Sequence, residues 1–417
     1  MSDEFPAALL DQAKPHQSFD PQALKVCHVI ACINQNIGGP ALSVTHLTEA
    51  LSQTAIEPHL WTLHYPEHGS QLQPSGVQLH SYPATFLTRY GRGFHPIADR
   101  ALHELAAQDL DLIHNHGVWM FPNRYARQAA QRHNLPLVIS PRGMLEPWAL
   151  RWSGLRKRVA WWLYERENLE RATLFHATSE MEVQAIRQLG FQQPIALIPN
   201  GVSIPTLEQI PTKAVLTAQF PTLANKRWLL FLSRLHPKKG LDRLLQVWHQ
   251  LEAKFPEWQL VIAGPDLIGY QAELIALTTK LNLQSRVTFT GMLSGDQKAA
   301  ALGNAELFVL PSHSENFGIA VAEALSYAVP VITTHGTPWE DLHRANCGWW
   351  IENQTERFTQ ALTEGMQLSD SDRRSMGFNG RALVTKDYAW SSIAQTMSAV
   401  YRWIMQGGTP VESIRFD

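Results

Sequence analysis

The stretch from Leu310 to Ala324 constrains the fold more than any other part of this 417-residue chain. The apolar run at 305–310 predicts a buried strand, a polar turn ends in Gly318, and residues 319–327, rich in alanine and valine, predict a helix. In a doubly wound α/β sheet, this order places the loop at the carboxyl edge of the strands, where ligands bind. The free N–H groups at the helix start then face an anion or a hydroxyl-rich ligand.

Two carboxylates, Glu315 and Glu323, stand in this stretch with seven residues between them. Glu315 is in the mouth of the loop and Glu323 is about two turns along the helix, so both can face one elongated ligand from the same side. A solvated glutamate beside a second one in a surface salt bridge would explain the spacing equally well. The spacing alone therefore leaves both interpretations open.

The composition is that of a globular protein with more than one core. A chain of 417 residues predicts two domains, and 45% apolar with 17% charged residues fits a globular class. The net charge of −2 gives no reason to expect nucleic acid. Three cysteines suit neither a disulfide framework nor a zinc site, the acidic N-terminus lacks a signal peptide's basic region, and no apolar run is long enough to span a membrane. We therefore expect a cytoplasmic location.

Strand-like runs alternate with helical stretches along most of the chain, which is typical of parallel α/β units. In the first half these runs are residues 25–33, 58–64, 77–82, 112–116, 135–140, 172–179 and 195–198. In the second half they are residues 227–232, 259–265, 287–291, 305–310 and 329–334. The predicted organisation is a poorly ordered arm (1–24), a first Rossmann-like domain (25–205), a linker (206–226), a second such domain (227–385) and a C-terminal segment (386–417) whose helix packs back on the first domain.

Three features at strand ends of the first half can bind ligands. Gly38 and Gly39 precede a helix, where backbone N–H groups can approach a phosphate, although such a turn is usually only a turn. His114 and His116 end a strand, and a structural role competes with an acceptor-side one; zinc lacks an obvious third ligand nearby. Arg142 leaves the next strand, where its guanidinium can hold an anionic group.

Residues 151–164 combine a basic helix start with an aromatic face. An ordinary amphipathic helix would pack its tryptophans inward, and this is the interpretation we prefer. The same pattern fits contact with an anionic membrane surface or a lipid-linked acceptor, so a peripheral membrane contact stays open.

The strongest anion site follows the strand at 227–232. Arg234, Lys238 and Lys239 surround the start of a helix that begins at Leu241. Cations at a helix N-terminus oppose the macrodipole, and an anion bound between them would reverse that unfavourable interaction. Arg234 and Lys239 therefore predict a diphosphate clamp.

With these motifs in place, the chain from about residue 25 to 405 resembles the retaining glycosyltransferases of family 4, whose two Rossmann-like domains face each other across a cleft in the GT-B arrangement. The most specific match is Glu315 to Glu323 with its Phe317-Gly318 step. Ser233-Arg234-Leu235 and Lys239-Gly240 match the family's diphosphate clamp. Within the family, residues 140–145 and 336–339 look most like bacterial enzymes that build surface polysaccharides.

The resemblance implies that a hexose moves from a nucleotide-diphosphate sugar, of UDP or GDP type, to a glycan or lipid-linked acceptor with retention of anomeric configuration. Arg234 and Lys239 would neutralise the leaving diphosphate, Glu315 would contact the transferred sugar, and Glu323 would bind the ribose hydroxyls. Backbone groups would complete the donor site at Gly38, Gly39, Asn316, Phe317 and Gly318. Family members need no metal, and we expect no cofactor besides the donor substrate.

One position departs from the family's pattern, because many members carry a histidine where this chain has Arg142. An arginine stays protonated at neutral pH and cannot act as a base. We therefore expect Arg142 to bind an acidic or phosphorylated acceptor. Two other functions stay open: transfer to a soluble sugar phosphate, as in a sucrose-phosphate-synthase-like reaction, and a non-catalytic nucleotide-sugar-binding subunit. The chain keeps all of Arg234, Lys239, Glu315 and Glu323, which argues against a non-catalytic subunit.

Overall fold

The computed structural model describes residues 23–151 and 154–417. The arm expected at 1–24 lies almost wholly outside the described residues, and Leu24 already opens the first strand. The alternation of strands and helices takes the predicted form, because the apolar runs are buried on both faces of two largely parallel sheets.

The first domain is built on an eight-stranded sheet. Its strands are β1 (Leu24–Cys32), β2 (Ile56–His64), β3 (Gln78–Pro83), β4 (Leu112–His116), β5 (Leu137–Ser140), β6 (Leu174–Ala177), β7 (Ile195–Leu197) and β14 (Ile414–Arg415). They lie in the order β3-β2-β1-β4-β5-β6-β7-β14, all parallel except β14, which pairs antiparallel with β7. The order reverses between β1 and β4, so a crevice forms at the carboxyl ends of these two strands.

The second domain has a six-stranded parallel sheet. Its strands are β8 (Arg227–Leu232), β9 (Trp258–Ala263), β10 (Val287–Gly291), β11 (Leu307–Leu310), β12 (Val331–Thr334) and β13 (Gly348–Ile351). The order is β10-β9-β8-β11-β12-β13, with the reversal between β8 and β11. The cationic loop follows β8 and the two-glutamate loop follows β11, so the two motifs meet at the switch point.

Helices cover the faces of both sheets. In the first domain they are α1 (Gly39–Leu51), α2 (Phe86–Tyr90), α3 (Pro96–Gln108), α4 (Phe121–His133), α5 (Pro147–Arg151), α6 (Gly154–Ala160), α7 (Arg166–Glu170) and α8 (Glu180–Gln188), with a π-helical turn at Trp161–Glu165. Beyond it follow α9 (Ala214–Thr217), α10 (Leu241–Leu251), α11 (Tyr270–Lys280), α12 (Gly295–Gly303), α13 (Ile319–Ser326), α14 (Asp341–Arg344), α15 (Thr355–Gln367), α16 (Asp370–Asp387) and α17 (Trp390–Gln406). Within the described ranges, none of them has both the length and the apolar character needed to cross a bilayer.

The last helix, α17, returns to the first domain, which confirms the predicted crossing. It packs against α1, and its buried side chains, among them Met397 and Tyr401, join the first domain's core. After α17 the chain adds β14 to the edge of the first sheet. This two-residue strand is too short to give a periodic pattern, so the sequence did not predict it.

The segment 206–226, which we predicted to link the two domains, packs against the second domain. Leu216 and Leu223 are fully buried in the second domain's core. Asn304 Nδ2 also donates a hydrogen bond of 2.9 Å to the carbonyl of Pro211. Pro221 begins a short 3₁₀ turn that includes the buried Leu223, so this part of the segment belongs to the packed second domain. The prediction also omitted β13, whose half-buried residues gave no clear alternation.

Candidate active site

Two hydrogen bonds hold the loop after β11 in place and leave its backbone N–H groups next to α13 open. Glu315 N donates to the carbonyl of Gly336 at 2.7 Å, and Trp339 Nε1 donates to the carbonyl of Phe317 at 2.6 Å. Gly318 caps α13 with φ of 77°, a conformation that favours glycine. Among the described residues, the backbone N–H groups of Asn316, Phe317 and Gly318 have no hydrogen-bond acceptor. These groups can therefore donate to a sugar or a phosphate.

Glu315 and Lys239 form an ion pair at the base of the cleft, so the structure brings these two predicted residues together. Their side chains are only 13% and 11% exposed. Ser312 Oγ donates to the same carboxylate oxygen at 2.5 Å. Burial alone would raise the pKa of Glu315, but Lys239, Ser312 and Lys238 together lower it. Glu315 is thus an ionised acceptor that holds Lys239 in position before a ligand arrives.

Further positive charge surrounds this pair. Arg234 is exposed at the rim of a cavity of about 420 Å³ that Lys238, Lys239 and Glu315 also line. The pKa of His236 is lowered by partial burial and by the neighbouring Arg234, Lys239 and Lys238. The loop between β8 and α10 therefore concentrates cations where an anionic ligand would relieve their mutual repulsion.

Glu323 faces a second cavity, of about 310 Å³, which lies between the domains. Gly39 and Ser43 line it from the first domain, and Glu323 and Lys298 line it from the second. Lys298 Nζ donates to Glu323 Oε1 at 2.7 Å. Lys298 was not predicted, because a lysine on a surface helix carries no local signal of a binding site.

The paired glycines behave differently from one another. Gly38 has φ of 94° and ψ of −147°, which a side chain would disfavour, whereas Gly39 begins α1. A Cβ added at either position would meet no protein atom within 4 Å. The space above this turn is therefore open to a ligand.

Arg142 lies on the first-domain side of the cleft in the left-handed region, with φ of 57°. Its Nη1 donates to Ser43 Oγ at 3.1 Å and to Asn200 Oδ1 at 2.8 Å, and its Nη2 donates to His116 Nδ1 at 3.1 Å. Burial lowers the pKa of Arg142 to about 10, so the guanidinium remains charged at neutral pH. A non-glycine residue in this backbone region is uncommon and often marks a functional site.

A continuous chain of hydrogen bonds runs from Arg142 into the core of the first domain. It passes in order through His116, His28, Tyr401, His114, Ser140 and His176 and ends at the carbonyl of Ile198. The Arg142 guanidinium at one end can only donate, and the Ile198 carbonyl at the other end can only accept. Every hydrogen bond in the chain is therefore donated in the direction from Arg142 to Ile198. Each of the four imidazoles then accepts at Nδ1 and donates from Nε2. The tautomers inferred from these partners are all neutral Nε2–H forms.

The electrostatics of this network agree with neutral imidazoles. Burial, with a smaller contribution from Arg142, lowers the pKa of His28 and of His176 to about 3, and His176 adds to the effect at His28. The pKa values of His114 and His116 lie well below their usual range for the same reasons. His114 is fully buried and hydrogen-bonded at both ring nitrogens. It therefore lies behind the cleft and supports the network, instead of contacting the acceptor as predicted.

His28, His114 and His116 place three imidazoles close enough to hold a metal ion, and His28 is the third ligand that the sequence did not connect. Two observations argue for a hydrogen-bond network instead. The ring nitrogens of all three are already bonded to each other or to neighbours. The Arg142 guanidinium, 3.1 Å from His116 Nδ1, would also repel a divalent cation.

The two domains touch across the cleft through residues that the sequence did not single out. Ser314 Oγ donates to Glu146 Oε2 at 3.1 Å, and Asn316 Nδ2 donates to Thr178 Oγ1 at 2.8 Å. A Cβ at Gly143 would lie 2.8 Å from Asn316 Cβ, so glycine permits this close approach. The two-glutamate loop is thus held against the first domain, and the site is assembled from both halves.

Family comparisons agree with this architecture. The model for "Glycosyl transferase 4-like domain" matches residues 38–201, and the model for "Glycosyl transferases group 1" matches residues 216–383. With two parallel-sheet domains on either side of a cleft, the chain is a glycosyltransferase of the GT-B class. It belongs to family 4 within that class, the family that the two-glutamate motif and the cationic loop resemble.

Two curated relatives cover most of the chain. The GDP-mannose:cellobiosyl-diphosphopolyprenol alpha-mannosyltransferase of Xanthomonas campestris is 26% identical over 317 residues, which is 74% of this chain and 78% of that protein. The D-inositol 3-phosphate glycosyltransferase of Kineococcus radiotolerans is 24% identical over 322 residues, 72% of this chain and 73% of its own length.

Two solved structures share the fold. Anabaena HepE in complex with UDP and glucose has a TM-score of 0.72 at 19% identity and covers 91% of this chain and 99% of its own. Sucrose-phosphate synthase from Thermosynechococcus elongatus has a TM-score of 0.71 at 21% identity and covers 92% of this chain and 100% of its own.

Proposed function

We propose that this glycosyltransferase retains anomeric configuration, needs no metal, and moves a hexose from a nucleoside-diphosphate sugar to a lipid-linked glycan acceptor. The observation that carries the proposal is the Lys239–Glu315 ion pair at the switch point between β8 and β11. Glu323 follows on α13, in the cavity that Gly39 lines from the first domain. The diphosphate would lie at Arg234 and Lys239, the ribose at Glu323 and the transferred sugar at Glu315.

The cationic loop would act on the charge that develops as the donor breaks. When the bond between the anomeric carbon and the β-phosphate oxygen breaks, positive charge grows on the sugar ring and negative charge on the diphosphate. Arg234, Lys239 and the N–H groups at the start of α13 would stabilise the diphosphate. These fixed charges would replace a metal ion. Lys239 would turn from Glu315 towards phosphate, which frees Glu315 to accept from sugar hydroxyls.

Retention follows if the acceptor approaches on the face that the diphosphate leaves. The departing phosphate oxygen then takes the proton of the acceptor hydroxyl, while that hydroxyl oxygen bonds to the anomeric carbon. No side chain has to act as a base, which suits Arg142, the protonated residue on that side of the cleft. Retention of configuration in the product, read by proton NMR, tests this step; an inverted product would exclude it.

An exposed apolar surface on the first domain supports a lipid-linked acceptor. This lipid face consists of Phe86, Tyr90, Ile97, Trp162 and Leu163, each between 73% and 78% exposed. Of the tryptophans in residues 151–164 that we preferred to see packed inward, Trp161 packs against the core and Trp162 is exposed, whereas Trp152 lies outside the described residues.

The two parts of the lipid face, in residues 86–97 and in residues 162–163, each adjoin a member of one aromatic cluster in the chain. Phe121 lies 5.2 Å from Phe94 on one side and 6.1 Å from Tyr164 on the other, measured between ring centroids. Arg92 and Arg124 line the groove beside Leu163. Apolar side chains flanked by arginines fit an interface with anionic lipid, which would bring a lipid-linked acceptor to the cleft.

The name of the Xanthomonas relative specifies a GDP-sugar donor and a diphosphopolyprenol acceptor, and HepE binds UDP and glucose. We would therefore assay release of UDP and GDP from their glucose and mannose conjugates, with and without lipid-linked oligosaccharide in vesicles. Release that depends on one donor and on the lipid acceptor supports the proposal. Release with a soluble sugar phosphate alone would favour the sucrose-phosphate-synthase-like alternative, and no turnover would favour a binding subunit.

The membrane contact has its own test. We expect wild-type protein to float with vesicles that contain anionic phospholipid, and Trp162→Ser combined with Leu163→Ser to stay in solution. Phe378→Ser is the matched control, because Phe378 is a 54% exposed aromatic residue on α16 in the second domain. Failure of the wild type to float would remove the lipid face from the proposal.

A further inference from the structure

A cavity of about 340 Å³ opens in the first domain at the carboxyl ends of β1 and β4. Most of its wall is apolar, with Ile30, Val118 and Met144 as examples. Three of the 17 described residues that line it are arginines, Arg89, Arg92 and Arg142, and none is aspartate or glutamate. The cavity is therefore cationic although the protein as a whole carries a net charge of −2.

Arg142 is the most deeply placed of these cations, with only 9% of its surface exposed. Its three hydrogen-bond partners, Ser43, Asn200 and His116, are all uncharged. Among the described residues, Arg142 Nε has no partner and no carboxylate lies within salt-bridge distance of the guanidinium. A buried charge without a direct counter-charge is costly, so an anion in the cavity would remove a real penalty.

The carboxylate with the largest effect on the pKa of Arg142 is Glu182, and its oxygens are already hydrogen-bonded to other groups. Glu182 is fully buried and raises the pKa of Arg142, although burial has the larger, opposite effect. Its oxygens accept from Gly143 N at 2.6 Å and from Thr178 N at 2.8 Å. Glu182 thus fixes the backbone around Arg142 and leaves the free edge of the guanidinium to a ligand.

The hydrogen-bond network behind Arg142 gives that edge a fixed direction. His116 Nδ1 can accept from the guanidinium only while the ring carries its proton on Nε2, and His28 accepts that proton's hydrogen bond. Ser43 on α1 and Asn200 after β7 hold the other terminal nitrogen. His116 is therefore a positioning residue for Arg142.

We propose that this cavity holds the part of the acceptor next to its reacting hydroxyl, and that Arg142 binds an anionic group there, a phosphate or a carboxylate, with Arg89 and Arg92 as secondary contacts at the mouth. The inference rests on the proposed transferase function, because it assigns the cavity to that reaction's acceptor. A phosphate in the diphosphate of a lipid-linked glycan and a carboxylate of an acidic sugar share this chemistry. Arg89 is partly neutralised by Glu67 at 3.2 Å, so Arg142 dominates.

The test uses the full chain, saturated with the nucleoside diphosphate that it binds, so that the donor clamp is already occupied. Glucose 6-phosphate, glucuronate, inorganic phosphate and neutral glucose are then added in separate thermal-shift titrations. We expect a rise in Tm of about 2–4 °C with glucose 6-phosphate or glucuronate and none with glucose, since a ligand that binds the native state stabilises it. A response to phosphate esters only, or to carboxylate only, identifies which anion the acceptor carries.

Arg142→Gln should abolish these shifts while the shift with the nucleoside diphosphate alone persists. Arg89→Gln, at a half-exposed position, should reduce the response several-fold, and Arg100→Gln on the exposed face of α3 is the control. His116→Gln should weaken the response as a positioning change, and more strongly than Arg100→Gln.

Equal shifts with glucose and its phosphate, or no shift with any anion while the diphosphate binds, would overturn the inference and leave the donor site intact. Loss of nucleoside-diphosphate binding in Arg142→Gln, with the sugar-phosphate response kept, would reassign Arg142 to the donor and also overturn it. No binding of any nucleoside diphosphate by the wild type counts against the proposed function itself.

Discussion

Two buried cations face the cleft from opposite domains, and they differ in how their charge is balanced. In the second domain, Lys239 is paired directly with Glu315, and both side chains are nearly nine-tenths buried. In the first domain, Arg142 is bonded only to uncharged groups, and its Nε has no partner among the described residues. One cation carries its counter-charge within the fold, and the other lacks a direct one.

The difference indicates two ways to prepare a site for an anion. An internal carboxylate keeps Lys239 ordered, but the diphosphate that we propose for this site would have to displace or share that partner. For Arg142, neutral hydrogen bonds supply the order, so a ligand gains an unpaired charge without displacing anything. The first arrangement suits a leaving group that must be released after each turnover. The second suits recognition of a group that remains unchanged in the reaction.

The largest expected effect comes from removing the paired cation. Lys239→Ala should lower kcat by about 10²–10³, because one fixed charge on the leaving diphosphate is worth a few kcal/mol in the transition state. It should also lower Tm, since Glu315 is left charged and buried without its partner. Steady-state kinetics with the preferred donor and a thermal melt measure both effects.

The double variant Lys239→Ala with Glu315→Gln separates them. We expect it to recover much of the Tm but none of the kcat. Lys254→Ala, at an exposed position beyond α10, serves as the control for loss of a lysine. A single variant with wild-type kcat would show that Lys239 does not contact the leaving group.

The next effect concerns the carboxylate of the second cavity. Glu323→Ala should weaken binding of the nucleoside diphosphate by about 10–100-fold, because hydrogen bonds from ribose hydroxyls to a charged acceptor are worth about 1.5–3 kcal/mol. Isothermal titration calorimetry gives the affinity directly. Glu356→Ala on the exposed side of α15 is the control. Unchanged affinity would place the ribose away from α13.

The network behind Arg142 predicts a pH dependence of stability. The pKa of His176 is about 3 in the folded state against an ordinary value of 6.5. Between these values the unfolded chain binds a proton that the folded chain does not, so stability falls as the pH drops below 6.5. Each such histidine contributes about 1.4 kcal/mol per pH unit.

Urea unfolding between pH 6 and 5 tests the sign and the size of this dependence. His176→Asn should show a slope shallower than that of the wild type by about 1.4 kcal/mol per pH unit. The lowered pKa of Glu315 adds a loss of stability only as the pH falls below its ordinary 4.5, so this window excludes it. Identical slopes would mean that His176 is protonated in the folded protein, contrary to the inferred tautomer.

The same contrast explains which parts of the site could be predicted. The cationic loop and the two-glutamate loop are compact motifs that follow single strands, so their residue types and spacing carry the signal in a local stretch. Strand bounds such as those of β4, β8 and β10 agree with the apolar runs at 112–116, 227–232 and 287–291.

The support of Arg142 had no such local signal. Tyr401 and His28, which share a hydrogen bond, are 373 positions apart, and nothing in either neighbourhood indicates the contact. Glu146 and Lys298 were missed for a related reason. A single charged residue in a loop or on a helix becomes meaningful only when the opposite domain, or the neighbouring helix, brings its partner to it.

The smallest expected effect tests whether a pre-paired charge is needed for binding at the ribose. Lys298 holds Glu323 at 2.7 Å, but the two side chains are 31% and 23% exposed, so solvent screens the pair. Lys298→Ala should therefore change nucleoside-diphosphate affinity by no more than about fivefold, in line with the 0–1 kcal/mol of an accessible ion pair. An affinity loss as large as that of Glu323→Ala would mean that Lys298 contacts the ligand itself. The pair would then resemble Lys239 and Glu315. Of the three cations Lys239, Lys298 and Arg142, only Arg142 would lack a carboxylate partner within the described residues.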